Sequence, residues 1–372
     1  MKTKTRIASL LLAGLIAGAP ITNAQEDSGI ELSGDLRLRQ EFIDKDDGSS
    51  NRQRQRLRAR LNANADVNEN VKAGIRLASG SAEPTSTNQS FDDAFSSKPL
   101  QLDKAYLSWQ LTEALELIGG KMGKPWINVS ELVWDGDVNP EGFAAKAKTE
   151  AETISLEANA GYFWLDEISS TEKDRMLYTG QIALGVALND STRLLLGGSA
   201  YIYDHMKGLP LLVDTEDGFG NESVDVTSGT GVDAVTRKAY AEDFEIFELF
   251  GKISSTVGDV PVSLLGQLVS NDAASRDDSG FLIGAKLGKA KEPGSFEIEY
   301  NYRDLEENAV LGAFSDSDFA GGGTDAEGHV IKAKLALAKA WTAGGALYLN
   351  RIDPNGKDID YSRVQIDLIA KF

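Results

Sequence analysis

Apolar and polar residues alternate along most of the chain after residue 29. In the first such segment, residues 30–42, the apolar positions include Leu32, Leu36 and Leu38, and the polar positions between them include Asp35, Arg37, Arg39 and Glu41. Successive side chains of a strand point to opposite faces, so this period predicts a β-strand with one apolar and one polar face. We count sixteen such segments, each of about ten residues, joined by short and long connections in turn.

The second segment carries an arginine at every second position, namely Arg52, Arg54, Arg56, Arg58 and Arg60. Apolar side chains fill the alternate positions from Leu57 to Val67, so the strand has one basic and one apolar face. A soluble protein would bury the apolar face under other elements. A transmembrane β-barrel would instead turn that face to lipid and the arginines to a water-filled lumen.

The start of the chain and its composition favour the barrel. Residues 1–24 resemble a secretory signal peptide, with Lys2, Lys4 and Arg6 before a short apolar run and small residues before the expected cleavage after Ala24. No later stretch is long and apolar enough for a membrane helix, and the chain has no cysteine for disulfides. A net charge of −19 argues against nucleic-acid binding. We therefore predict an all-β, antiparallel, up-and-down barrel of sixteen strands in the bacterial outer membrane, with residues 25–372 as its single domain.

The last segment, residues 361–372, alternates in the same way and ends on Phe372. Outer-membrane barrels commonly end on such a strand, so we interpret Phe372 as an assembly signal for the barrel assembly machinery.

Three strands would form a basic wall in the lumen. Arg37 and Arg39 belong to the first strand, Arg76 to the third, and the arginine segment lies between them. Like charges about 5 Å apart repel by about 3 kcal/mol at an effective dielectric constant of about 20, so the wall needs counter-charges. Glu31, Asp35 and Glu41 on the first strand can supply part of them.

The long connections, near residues 80–100, 204–243 and 304–327, carry much of the acidic charge, including Asp316 and Asp318, and many glycines. We interpret them as solvated outer loops. Asp214, Glu216 and Asp217 could hold a divalent cation, although Asp- and Gly-rich loops are more often flexible without one.

A further long connection follows the fifth strand and contains one specific motif. It reads Leu132-Val133-Trp134-Asp135-Gly136-Asp137-Val138-Asn139-Pro140-Glu141-Gly142. It resembles the motif LVWDSDLNPEG of the putative porin family of Gram-negative bacteria, from which it departs at Gly136 and Val138. The chain as a whole resembles the general diffusion porins, but only this loop contains a motif that is specific to the family.

The resemblance implies that this third outer loop folds into the barrel. It would then place Glu131, Asp135 and Asp137 opposite a basic wall that contains Arg37, Arg39, Arg54, Arg56, Arg58, Arg60 and Arg76, and the two together would form a charged constriction. The implied function is passive diffusion of ions and small hydrophilic solutes without any cofactor. The implied partners are outer-membrane lipid, lipopolysaccharide and two further copies in a homotrimer.

Three alternatives remain open at this point. The arginines could merely pair with acidic neighbours, or with lipopolysaccharide phosphates near Arg52 and Arg54, while the loop leaves the pore wide. A row of arginines also suits a substrate-specific channel for phosphate or dicarboxylates. An outer-membrane hydrolase is disfavoured because His205 and His329 have no serine nucleophile in a recognisable motif. Two isolated histidines likewise give no metal-binding pattern.

Overall fold

The computed structural model describes residues 29–168, 174–213, 218–229 and 234–372. The predicted signal peptide and the candidate cation ligands Asp214, Glu216 and Asp217 lie outside these ranges. Within them, no helix is long and apolar enough to cross a membrane.

The described chain is built almost entirely of strands. They are β1 (Ile30–Lys45), β2 (Arg52–Asn68), β3 (Val71–Ser79), β4 (Gln89–Ser90), β5 (Leu100–Thr112), β6 (Leu115–Lys121), β7 (Glu141–Glu150), β8 (Ile154–Asp166), β9 (Arg175–Ala187), β10 (Arg193–Asp204), β11 (Ser223–Ser228), β12 (Val235–Tyr240), β13 (Phe244–Val257), β14 (Val260–Asn271), β15 (Ser279–Gly288), β16 (Phe296–Leu305), β17 (Ala326–Ala338), β18 (Trp341–Ile352) and β19 (Ile359–Lys371). Single-turn 3-10 helices cover Asp93–Phe95, Gly218–Gly220, Gly312–Phe314 and Phe319–Gly321.

Sixteen of these strands form a closed antiparallel barrel, which confirms the predicted fold and strand count. Consecutive strands pair along the chain, and β19 pairs with β1 to close the ring. The two-residue strand β4 adds to the edge of β2, and β11 and β12 form a separate hairpin in the connection between β10 and β13.

The alternation seen in the sequence separates the outside of the barrel from its lumen. On β1, Leu36 and Leu38 are 47% and 54% exposed, whereas Arg39 and Glu41 are 6% and 0% exposed. The same parity holds on β19, where Ile366 is 57% exposed and Arg363 only 2%. Exposed aromatic side chains such as Trp109, Trp164 and Tyr178 add to this apolar outer surface, as a lipid-facing barrel requires.

A hydrophobic core lies inside the barrel, on the side formed by β8, β9, β10 and β13. It joins inward-facing side chains of these strands to two connections, residues 122–140 between β6 and β7 and residues 306–325 between β16 and β17. Met206, Leu212 and Tyr240, between β10 and β13, are buried in the same core, so the predicted solvated outer loop near residues 204–243 is wrong for these residues. Trp134 is buried in the centre of this core, with ring centroids 5.3 Å from Tyr201 and 5.6 Å from Phe314. Both connections are therefore packed into the lumen.

Candidate functional site

The pairing of β1 with β2 determines how the predicted arginines face one another. In this register Arg37 lies opposite Arg58, and Arg39 lies opposite Arg56. Two rows of guanidinium groups therefore run side by side along the lumen. Their mutual repulsion must be offset by carboxylates, because like charges directly opposite on neighbouring strands are destabilising.

Two acidic residues of β1 supply part of this compensation. Asp35 accepts hydrogen bonds from Arg58 Nη2 at 2.8 Å and from Arg60 Nε at 2.7 Å. Glu41 is fully buried and contacts both Arg54 and Arg363. Asp35 and Glu41 thus act as the sequence predicted.

Glu31, the third predicted counter-charge, lies opposite Asn64 and is exposed. Asp367 of β19 and Asp103 of β5, which the sequence did not identify as counter-charges, supply a further part of the compensation. Arg39 donates to both carboxylate oxygens of Asp367, at 2.7 and 2.8 Å, in a bidentate pair across the barrel closure. Arg76 pairs with Asp103 of β5.

The third outer loop, residues 122–140, crosses the lumen. Ile127 N donates to Gln181 Oε1 of β9 at 2.8 Å, and Lys332 Nζ of β17 lies 3.3 Å from Glu131 Oε2. At its other end, Arg60 Nη1 of β2 lies 3.3 Å from Asp137 Oδ1. The loop therefore touches strands on different sides of the barrel, which agrees with the predicted inward fold.

The three acidic residues predicted on this loop lie in different surroundings. Asp137 contacts the arginines through Arg60, whereas Glu131 contacts Lys332. Asp135 accepts hydrogen bonds from the backbone N–H groups of Asp137 and Ser317, at 2.8 and 2.9 Å. Burial, and then the nearby carboxylates, raise the pKa of Asp135 well above its ordinary value. Of the three, only Asp137 contacts one of the predicted arginines through an ion pair in the described chain.

Asp318, in the connection 306–325, was missed as a partner of the arginines. Its carboxylate lies 3.1 Å from Arg39 Nη1 and 2.7 Å from Arg363 Nη2. Asp316 is 3% exposed and pairs with Arg303 at 3.0 Å. The prediction that this acidic connection is a solvated outer loop is therefore wrong for these two residues. The apolar stretch from Ala309 to Phe314 was the available signal, since apolar residues in a loop favour burial.

Three connections interlock beside the arginines. Ser317 Oγ donates to Thr85 O at 2.9 Å, Thr87 N donates to Asp137 Oδ2 at 3.1 Å, and Asp135 N donates to Phe314 O at 2.7 Å. We call residues 84–90, 122–140 and 306–325 together the loop cluster. Thr85, Ser86 and Thr87 are buried, so the predicted outer loop near residues 80–100 is also partly folded inward.

We define the arginine wall as the following eight side chains: Arg37, Arg39, Arg54, Arg56, Arg58, Arg60, Arg76 and Arg363. Among the described residues, the carboxylates within 4 Å of this wall are those of Asp35, Glu41, Asp103, Asp137, Asp318 and Asp367. Two positive charges therefore remain uncompensated by direct contact.

The two histidines have aromatic and acidic neighbours. His329 Nδ1 lies 3.0 Å from the Tyr300 hydroxyl, on the outer face of β17, and His205 Nδ1 lies 2.7 Å from Asp204. In the described ranges, no group of three or more His, Cys, Asp or Glu residues could hold a metal ion.

Comparison with known proteins identifies the family. The profile described as putative porin matches residues 22–227 and 230–372. The chain belongs to the putative porin family. As a member of this family, the protein is an outer-membrane porin that forms a channel. A comparison with curated proteins gives no match.

Solved structures share the fold of this porin at low sequence identity. OprB of Pseudomonas putida, in a high-pH structure, superposes with a TM-score of 0.60 at 11% identity, covering 94% of this chain and 95% of that one. A loop L8 deletion mutant of OmpT, an outer membrane protein of Vibrio cholerae, gives a TM-score of 0.50 at 12% identity, covering 92% and 99%. These likenesses concern the barrel alone.

Proposed function

We propose that this porin forms a water-filled channel for passive diffusion of ions and small hydrophilic solutes, with its constriction between the arginine wall and the loop cluster. The proposal rests on the observation that side chains and loops fill one side of the lumen and not the other. The side formed by β8, β9, β10 and β13 is closed by a hydrophobic core around Trp134, whereas the arginine wall lies on β1, β2, β3 and β19.

Solvation is the reason to place the water path beside the arginines. Charged groups are costly to bury without partners, and here the wall exceeds its contacting carboxylates by two charges. Water along the wall would hydrate those charges. A solute passing there would meet arginines without a close carboxylate, such as Arg56, and, beside them, ion pairs that include Asp137 and Asp318. The field of these charges would orient polar solutes and disfavour apolar ones.

Ion selectivity tests this proposal. Replacing Arg56 and Arg58 by serine removes two positive charges from the wall, so the reversal potential in a salt gradient across a planar bilayer should shift toward cation preference. Arg52→Ser is the control for the loss of one arginine charge outside the constriction, because Arg52 is an exposed residue at the start of the same strand. Unchanged selectivity in the double variant would contradict the charged constriction.

A substrate-specific anion channel is the second candidate. The unequal numbers of arginines and contacting carboxylates favour it. Conductance measured with added phosphate, dicarboxylates or sugars separates the two functions, since a specific channel shows saturable block at low solute concentration. A general pore should show only a gradual change.

We also propose a homotrimer and a role for Phe372 in assembly, both on the basis of the family resemblance. Phe372 exchanges two backbone hydrogen bonds with Gly34, at 2.8 and 3.1 Å, where the barrel closes. Light scattering of the purified protein in detergent would give three times the chain mass for a trimer. A mass of one chain would contradict the trimer without affecting the channel.

A further inference from the structure

Two residues of the arginine wall have almost no acidic contact. Among the described residues, no carboxylate lies within 4 Å of the Arg56 guanidinium. The nearest carboxylate contact of Arg37 is 3.9 Å, to Asp367, which already binds Arg39 through both oxygens. Arg37 lies opposite Arg58, so Arg37 and Arg56 are diagonal neighbours on the same face, with a separation typically of about 7–8 Å.

One short turn of the loop cluster contacts both guanidinium groups. Arg37 Nη2 donates to Asn88 Oδ1 at 2.5 Å, and Arg56 Nη2 donates to Ser86 Oγ at 3.3 Å. Asn88 Nδ2 also donates to Ser86 Oγ, at 3.3 Å, so the two acceptors are themselves connected. These partners are neutral. They position both cations without cancelling their charge.

Both arginines keep unused donors. The Nε atoms of Arg37 and Arg56 are buried and have no hydrogen-bond partner in the described chain. A buried donor without an acceptor costs about 1–3 kcal/mol, so an acceptor that reaches either Nε would be favoured. The Ser86 hydroxyl accepts from Arg56 and Asn88, and its hydrogen can donate to the same ligand.

A small oxyanion is the ligand that fits these donors. Guanidinium groups bind carboxylates and phosphates through paired N–H donors, and the added negative charge would offset the two uncompensated cations. A neutral sugar would satisfy hydrogen bonds but leave the charge. Chloride would balance the charge but cannot accept through two separate oxygens.

We propose that Arg37 and Arg56, positioned by Ser86 and Asn88, form a binding site for a small oxyanion, either phosphate or the carboxylate of a small organic acid. The site deepens the proposed function, and rests on it, because the anion would reach these residues through the channel. At this site an anion would exchange part of its hydration shell for the N–H donors of the two arginines and would then continue through the channel.

Calorimetric titration of the folded protein in detergent tests the site without requiring conduction. Inorganic phosphate and succinate serve as separate probes, so that the preferred oxyanion is identified. We expect saturable binding of at least one of them, weakened about tenfold or more in Arg56→Ser. The charge-matched control Arg52→Ser should bind as the wild type does. Circular dichroism verifies that each variant is folded.

Arg56→Lys separates paired hydrogen bonding from charge alone. It keeps the positive charge but loses the planar guanidinium group with its paired N–H donors. Its affinity for the oxyanion should therefore fall between those of the wild type and Arg56→Ser. If neither probe binds the wild type, or if Arg56→Ser binds as tightly as Arg52→Ser, the site is refuted. Conductance of the same preparation is judged separately: an open channel without binding overturns only this site, whereas a closed barrel overturns the proposed function.

Discussion

The contact of Asp318 with the arginine wall gives a prediction about the mobility of the connection 306–325. The Asp318 carboxylate pairs with Arg39 at 3.1 Å and with Arg363 at 2.7 Å, and the carbonyl oxygens of Ser317 and Asp318 also accept from Arg363 Nη1, each at 3.3 Å. In Asp318→Asn the amide oxygen can still accept from one arginine, but one charge-assisted bond and the negative charge are lost. Arg39 retains Asp367 and Arg363 retains Glu41, so neither cation is left without a carboxylate.

The magnitude follows from this single lost bond. A hydrogen bond to a charged group contributes about 1.5–3 kcal/mol. Every 1.4 kcal/mol is tenfold in an equilibrium constant, so the undocked state of the connection should become about ten to about 150 times more populated. The barrel strands keep their pairings, so the change should be confined to the loop cluster.

Hydrogen exchange followed by mass spectrometry measures this effect directly. Peptides covering residues 306–325 should exchange faster in Asp318→Asn by about the same factor, while peptides from β14 should not change. Asp358→Asn is the control, because Asp358 pairs with Arg351 at an exposed site, where an ion pair contributes little. Equal exchange of residues 306–325 in wild type and Asp318→Asn would refute the docking role of Asp318.

Two further predictions concern Trp134 and Asp325 of the loop cluster. Trp134→Ala should destabilise the packing of the loop cluster by about 3–5 kcal/mol, because Trp134 is buried against Phe314, and near-ultraviolet circular dichroism should weaken while the far-ultraviolet strand signal persists. An unchanged near-ultraviolet signal would contradict this packing. Burial, and then Asp353, raise the pKa of Asp325 to about 6, so deprotonation costs stability as the pH rises through that value. The melting temperature of the wild type should therefore fall between pH 5 and pH 7 more than that of Asp325→Asn; parallel pH profiles would show that Asp325 has no such effect.

The strands of the barrel were predictable because positions that face lipid and positions that face the lumen alternate along each strand. Leu36 and Leu38 face outward and Arg39 and Glu41 face inward, as their alternation indicates. The same reasoning gave the contacts of Asp35 and Glu41 with arginines, since β1 and β2 are consecutive strands whose pairing brings them side by side.

The contacts of the connection 306–325 could not be predicted in this way. Arg39 and Asp318 are 279 residues apart, and no periodicity links a loop to the strand that it will touch. Its acidic and glycine-rich sequence is also typical of an exposed loop. The inward fold of residues 122–140 was accessible only because their motif resembles that of a known family, and even there Glu131 contacts Lys332 instead of the predicted arginines.

The central claim is that the water path runs along the arginine wall, and cysteine modification at position 56 tests it most directly. The chain has no cysteine, so Arg56→Cys provides a single reactive thiol. In planar bilayers, an anionic methanethiosulfonate reagent should shift the reversal potential of Arg56→Cys channels toward cations, and a cationic reagent should shift it toward anions. Ser199→Cys, in the buried side of the lumen, should respond to neither. If Arg56→Cys channels keep the same reversal potential with both reagents, the path does not pass the wall and the account is contradicted.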